Sequence, residues 1–188
     1  MRLRHTALII AIFAAAYGCQ PKPKVGYLVP DSRGPAGYEA VDGSGVVKNE
    51  SFRISARQVK KGEEKAAMLA SLLEKDYIII DLSIENLSSK DVIYKPNLTA
   101  IDNDAFDFIR PLDYTDMYDL GDMEGLEAIR HRFYDLDTTL RPGQQSKKLL
   151  IFRPLSKNVK KAVLRIDDLY VGTDYKRVTI PFVFKAEE

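Results

Sequence analysis

Tyr77-Ile-Ile-Ile-Asp-Leu-Ser-Ile-Glu-Asn-Leu-Ser-Ser89 is the stretch whose reading decides the fold. Ile78, Ile80, Leu82 and Ile84 fall on one side of an extended chain, and Asp81, Ser83 and Glu85 on the other. Successive side chains of a strand point to opposite faces, so this alternation in strand-favouring residues predicts a half-buried strand. Asn86 to Ser89 then supplies turn-forming residues that end it. The segment reads as a central strand of a β-sandwich, with Ile80 and Leu82 in the core and Asp81 facing away from it.

The same alternation recurs on both sides. Val46 to Val59 reads as one strand, in which Phe52, Ile54 and Ala56 alternate with Arg53, Ser55 and Arg57. Glu63 to Lys75 predicts a short amphipathic helix with Ala66, Leu69 and Leu73 on one face. Acids at its start and Lys75 at its end suit the helix dipole. It is expected to cover a sheet edge or one open end of the sandwich. Downstream, Val92 to Tyr94 is a short strand, and Leu98 to Ile109 is a hairpin around Asp102-Asn103-Asp104. Leu140 to Gln145 is a turn built on Arg141-Pro142-Gly143, followed by strands at Lys148 to Arg153 and Ala162 to Leu169. Arg177 to Phe184 closes the domain with Val178, Ile180, Phe182 and Phe184 on one face. Pro181 cannot donate to a ladder, so an edge is expected there. About seven short strands with turns between them predict a mainly β fold, an immunoglobulin-like antiparallel sandwich over residues 46–188, with one or two short helices in the connections.

Three of these segments carry a resemblance. The strand at 77–86 ending in Asn, the Leu140-Arg-Pro-Gly-Gln turn followed by Leu149-Leu-Ile-Phe, and the last hairpin from Ala162 to Phe184 are similar to telokin-like, immunoglobulin-type domains of bacterial lipoproteins. The resemblance implies a fold and an extracytoplasmic setting, and no reaction. The helix at 63–75 and the connection at 110–137 depart from its compact pattern.

The N-terminus reads as an address. Met1 to Arg4 is basic and Ala7 to Ala16 is apolar, but the apolar run is too short to span a bilayer comfortably. That is the layout of a secretory signal over residues 1–18. Ala16-Tyr17-Gly18-Cys19 resembles the bacterial lipobox, with Ala16 standing where the family usually has Leu. The alternative is an ordinary signal with a chance cysteine. The resemblance implies that Cys19 is lipidated, attaching the chain to a membrane and consuming its thiol. By the same resemblance, Gln20 in place of Asp favours the outer membrane, facing the periplasm or the cell surface. In a one-membrane cell the protein would sit on the outer surface. Residues 19–45 are rich in Pro, Gly, Lys and Ser and read as a flexible tether, along which Tyr27, Leu28, Val29 and Tyr38 have the option of docking on the domain.

The composition excludes several functions. The formal net charge is +1, and without Arg2 and Arg4 the balance is 26 basic against 27 acidic residues. That leaves no electrostatic footprint for nucleic acid. A single cysteine permits no internal disulfide. His131 is the one histidine after the signal, set between Arg130 and Arg132, and no Gly-x-Ser-x-Gly elbow is present. Asp42-Gly43-Ser44-Gly45 reads as linker. Acids are dense from Asp102 to Asp137, a composition calcium favours, yet the EF-hand spacing is missing. Asp167 and Asp168 are adjacent and, on a regular strand, point to opposite faces. The expectation is therefore a non-enzyme with no catalytic residues, no metal and no cofactor. A calcium-binding or hydrolytic domain using the acids at 102–137 is the lesser alternative.

The connection from Arg110 to Asp137 is the candidate binding surface, because long connections in compact domains are often functional. Met123, Leu126, Ile129 and Phe133 recur at helical spacing, predicting a short helix over 122–133. Two readings stand. In one, that stripe packs on the sandwich as a cap. In the other, Tyr114, Tyr118 and Tyr134, with Arg130 and Arg132, face outward to a partner, since Tyr and Arg dominate interface hot spots. The expected function is a non-catalytic, lipid-anchored envelope protein that binds a partner protein or envelope component. The alternative is a structural subunit of an envelope assembly.

Overall fold

The computed structural model describes residues 26–120, 122–134 and 136–186. The signal at 1–18, Cys19 and the first part of the expected tether, 19–25, lie outside the described residues. The strands are β1 (Gly26–Pro30), β2 (Tyr38–Val41), β3 (Ser44–Lys48), β4 (Phe52–Gln58), β5 (Ile78–Asn86), β6 (Val92–Tyr94), β7 (Thr99–Asn103), β8 (Phe108–Ile109), β9 (Thr138–Leu140), β10 (Gln145–Phe152), β11 (Lys161–Val171) and β12 (Asp174–Ala186). Helix α1 (Ala67–Glu74) precedes β5, while α2 (Tyr114–Tyr118) and α3 (Met123–Ile129) lie between β8 and β9.

The strands form two antiparallel sheets, sandwich-like, around one main core. One sheet runs β10-β5-β4-β3-β2; the other runs β1-β12-β11-β6-β9, with β7 also on β11 and β8 beyond β7. β5 is central, paired with β4 on one side and β10 on the other. Its alternation lands as expected: Ile78, Ile80, Leu82 and Ile84 enter the main core with Leu164, Ile166, Ile180 and Phe182 of the facing sheet. At about 1.5–3 kcal/mol for each such side chain, this interface dominates the fold's stability.

Among the strands, three features differ from the sequence reading. The segment 46–59 is two strands, because the Asn49 side chain accepts hydrogen bonds from the backbone N–H groups of Ser51 and Phe52 and turns the chain between β3 and β4. The segment 26–45, expected as tether, is built into both sheets: β1 pairs with β12, and β2 pairs with β3. Gly45 of that stretch has a packing reason, since a Cβ there would collide with Ile180 across the sandwich. The strand count accordingly rises to twelve among the described residues. The expected edge at Pro181 has a local meaning. β12 is an interior strand, but its pairing with β1 ends at Pro30 opposite Phe182. Pro181 follows that ladder's end, where its carbonyl accepts from Asp31 N–H at 3.0 Å and no donor is needed.

A third layer lies on the outer face of the five-stranded sheet. Ile79, Leu149 and Ile151 point away from the main core and are covered by Leu69 and Leu72 of α1, Met117 of α2, Leu126 and Ile129 of α3, and Phe133. Helix α1 thus covers a sheet face, where an edge or open end was expected. It is also shorter than 63–75, starting after Glu63 and Glu64, with Lys75 as its C-cap. The helix predicted over 122–133 is α3 followed by a 3-10 turn at Arg130–Arg132. Its buried stripe fits the capping reading.

Candidate functional site

The connection between β8 and β9 supplies both a cap and a surface. Asp113 opens α2 with a capping box: its carboxylate accepts from Asp116 N–H at 2.8 Å, and Asp116 answers on the Asp113 N–H. Asp116 also bridges to Arg153 at 2.9 Å. Asp122 caps α3 by accepting from Gly125 N–H at 2.9 Å. Between these fixed ends, Tyr114 donates its hydroxyl to Glu127, and the Arg130 guanidinium lies 4.3 Å from the centre of the Tyr114 ring. The bond to Glu127 pushes the Tyr114 phenol above its ordinary pKa. Tyr118 is 52% exposed, with Leu120 and Met123 also at the surface.

The five expected partner-binding residues therefore divide. Tyr118 and Arg130 are exposed on the α2–α3 layer, while Tyr114 is half-buried and packs against the layer's apolar interior. Arg132, partly exposed, is engaged within the chain, its guanidinium forked onto the Glu64 carboxylate. Tyr134 is 2% exposed and stacks edge-on against Tyr94 in the main core, 5.1 Å between ring centres. Burial pushes its phenol up to about 12. Phe133 and Tyr134 run along the open edge of β10, with Tyr134 N–H donating to Leu149 O. Neighbouring residues there point to opposite sides, so Phe133 enters the helix-covered layer and Tyr134 the core.

Beside the helical layer, the outer face of the same sheet is polar. Arg53, Ser55 and Arg57 of β4 lie next to Asp81, Ser83 and Glu85 of β5, with Lys147 on β10, around a depression of about 230 Å³. Asp81 sits between Arg57 at 3.6 Å and Lys147 at 3.3 Å, and Gln145 donates to Ser83 Oγ at 2.7 Å. A second cavity, also about 230 Å³, opens at the Gly26 end of the sandwich between Tyr27, Leu73, Tyr77, Leu155 and Phe184. Lys60 Nζ lies 4.2 Å from the Tyr27 ring centre at its rim.

Several acids of 102–137 are engaged in hydrogen bonds and ion pairs within the fold. Asp104 accepts from the backbone N–H groups of Lys160 and Lys161, Asp107 from Ser156, and Asp102 pairs with Arg165. Among the described residues, no three of His, Cys, Asp or Glu come together as a metal site. Asp167 pairs with Arg165 and Arg177 and is partly exposed, whereas its neighbour Asp168 is buried; the ladder to β12 shifts register between Ile166 and Leu169.

No family model matches the chain, and no curated protein matches it. Two solved structures from Bacillus subtilis are similar to it. The yjhA protein is 15% identical with a TM-score of 0.40, over 65% of this chain and 76% of that one. The second, ycdA, described as a candidate lipoprotein, is 10% identical with a TM-score of 0.45; the match covers 73% of this chain and 38% of that one. Neither likeness bears on function. Among the described residues, no helix is long and apolar enough to cross a membrane.

Proposed function

We propose that this is a lipid-anchored, non-catalytic protein of the bacterial cell envelope that binds a partner protein through its α2–α3 layer. The observation that carries the reading is the exposure of Tyr118, Leu120 and Met123, which lie in the chain between Tyr114 and Arg130, whose side chains stack. The inner sides of the same helices are already committed to the sheet. Exposed aromatic and apolar groups beside an arginine have the make-up of an interface centre. Cys19, through the lipobox it resembles, provides the anchor on the outer side of a membrane. The sandwich itself we read as immunoglobulin-type, elaborated by the helical layer; two antiparallel sheets enclosing one core support that reading.

The test is a photo-crosslinking residue placed at position 118 in cells, with the captured protein identified and then purified. Loss of binding to that purified protein in Tyr118→Ala, with an unchanged melting curve, supports the reading. Equal binding by wild type and Tyr118→Ala and Met123→Ser variants returns the layer to a structural cap. Fatty-acid labelling that is equal in wild type and Cys19→Ala refutes the anchor.

A further inference from the structure

We infer that the end of the sandwich carrying Gly26 rests on the phospholipid bilayer, with Phe106 wedged among the headgroups and Lys157, Lys160 and Lys161 facing lipid phosphates. This rests on the reading of Cys19 as lipidated.

The geometry of that end supports the inference. The chain enters the fold at Gly26, opposite Ala186. Cys19 to Gly26 is seven peptide steps, at most about 25 Å when fully extended. An anchored domain therefore holds this end close to the bilayer. The turn joining β7 to β8 is at the same end: Asp104 N–H donates to Lys161 O at 3.1 Å, and the Asp104 carboxylate accepts from Lys160 N–H at 2.9 Å. Asp107 accepts from Ser156 N–H at 3.3 Å, tying the turn to the loop between β10 and β11.

At the tip of this turn Phe106 is 97% exposed, with a φ of 64°. Left-handed backbone at a residue with a side chain costs about 1–2 kcal/mol, and a bulky aromatic there is an outlier. Glycine would remove both the strain and the wet phenyl ring. The turn is nonetheless held firmly. Asn103 Oδ1 accepts from Ala105 N–H at 2.9 Å and Asp107 N–H at 3.2 Å, and Asn103 Nδ2 donates to Asp107 at 3.2 Å. A single exposed Phe would need no explanation elsewhere. Here it projects from a braced tip beside exposed Lys157, Lys160 and Lys161, at the end where the anchor attaches. Aromatic rings settle at the boundary between headgroups and acyl chains, and lysines reach from there to phosphate.

The chain has no tryptophan, so Phe106→Trp gives a single tryptophan, excited selectively over the tyrosines, in the full-length lipidated protein. The protein is reconstituted into phosphatidylcholine–phosphatidylglycerol vesicles whose acyl chains are brominated near the headgroup. Leu87→Trp is the control. Leu87 is exposed at the opposite end, about 26 Å away along β5 at roughly 3.3 Å per residue. Flotation of the same samples reports anchoring separately. Expected is blue-shifted emission at position 106 and bromine quenching several-fold stronger than at position 87. In the unsubstituted protein, amine labelling of Lys157 and Lys160 should fall several-fold on reconstitution, with Lys90 unchanged. Protein that floats, but whose Trp at 106 is quenched no more than Trp at 87, overturns the docking and leaves the anchor standing. Protein that carries no lipid and fails to float overturns the anchor, and the docking with it.

Discussion

Arg132 forks onto Glu64, with Nη1 at 3.0 Å from Oε1 and Nη2 at 2.7 Å from Oε2. The pair joins the end of the β8–β9 connection to the residues just ahead of α1. The Arg132 hydrogen bonds, aided by the N–H groups of Ala66 and Lys65, outweigh burial and hold the Glu64 carboxyl down at about 2. A folded-state value below the ordinary 4.5 contributes stability that is present above about pH 4.5 and is lost as pH falls towards about 2. Glu64→Gln should lower stability at neutral pH by about 1–2 kcal/mol, discounted because Arg132 is one-third exposed. In urea melts, the gap between variant and wild type should narrow as pH falls below about 4.5 and be largely closed near pH 2. A gap that stays constant with pH would show that the carboxylate charge contributes nothing.

Ile80 lies wholly in the main core, while its neighbour Asp81 lies on the opposite face between two cations. Ile80→Asp buries a carboxylate among aliphatic side chains and should cost several kcal/mol, comparable to the whole stability of the domain. Asp81→Asn should cost about 1 kcal/mol or less. Thermal melts of both variants decide it; equal melting temperatures would refute the register of β5.

Asn86 is fully buried and makes hydrogen bonds at both ends of its amide. Nδ2 donates to Lys90 O at 2.7 Å and Leu140 O at 2.8 Å, while Oδ1 accepts from Ser88 N–H and Oγ. The bond to Leu140 crosses from the five-stranded sheet to β9 of the other. Asn86→Ala leaves two carbonyls without this partner, and we expect a loss of about 2–4 kcal/mol in denaturant titration. A loss below half a kcal/mol would mean that water replaces the amide at no cost.

Phe106→Gly removes the left-handed strain and exposes less apolar surface. The variant should melt at or above the wild-type temperature, by up to about 1 kcal/mol, because glycine's greater freedom in the unfolded chain offsets part of the gain. A clear drop would show that the phenyl ring packs somewhere within the fold, and would leave no reason to look for a surface that receives it.

The strands that were legible in the sequence have one dry and one wet face. β11 and β12 alternate over most of their length because one side of each meets the core, and β5 carries the same alternation in its core-facing residues. Ile79 was invisible to that test, since a helical layer makes a second dry region on the wet side of β5. β1, β2 and the first residues of β3 were hidden by composition: Gly45 and Pro30 read as linker but serve a close sheet approach and the end of a ladder. Asn49-Glu50-Ser51 carried a usable turn signal that would have split 46–59 correctly. One reading placed Tyr134 outward as a hot-spot residue type, yet the pair Phe133-Tyr134 behaves as an edge strand with a dry environment on each side. Glu64 could not be matched to Arg132 from sequence, because nothing local links positions so far apart.

The pairing of β1 with β12 governs when the molecule can be finished. β1 has no other strand partner in its sheet, and its register runs from Gly26 opposite Ala186 to Pro30 opposite Phe182. Nearly the whole described chain separates the two strands. A chain emerging N-terminus first must therefore carry β1 unpaired until the last strand has followed it out. Closure of such non-local pairings is slow, and a waiting strand edge invites the wrong neighbour. For this fold, the hazardous interval is the time between the appearance of Gly26 and that of Ala186, and folding helpers that shield extended segments should act on β1 during it.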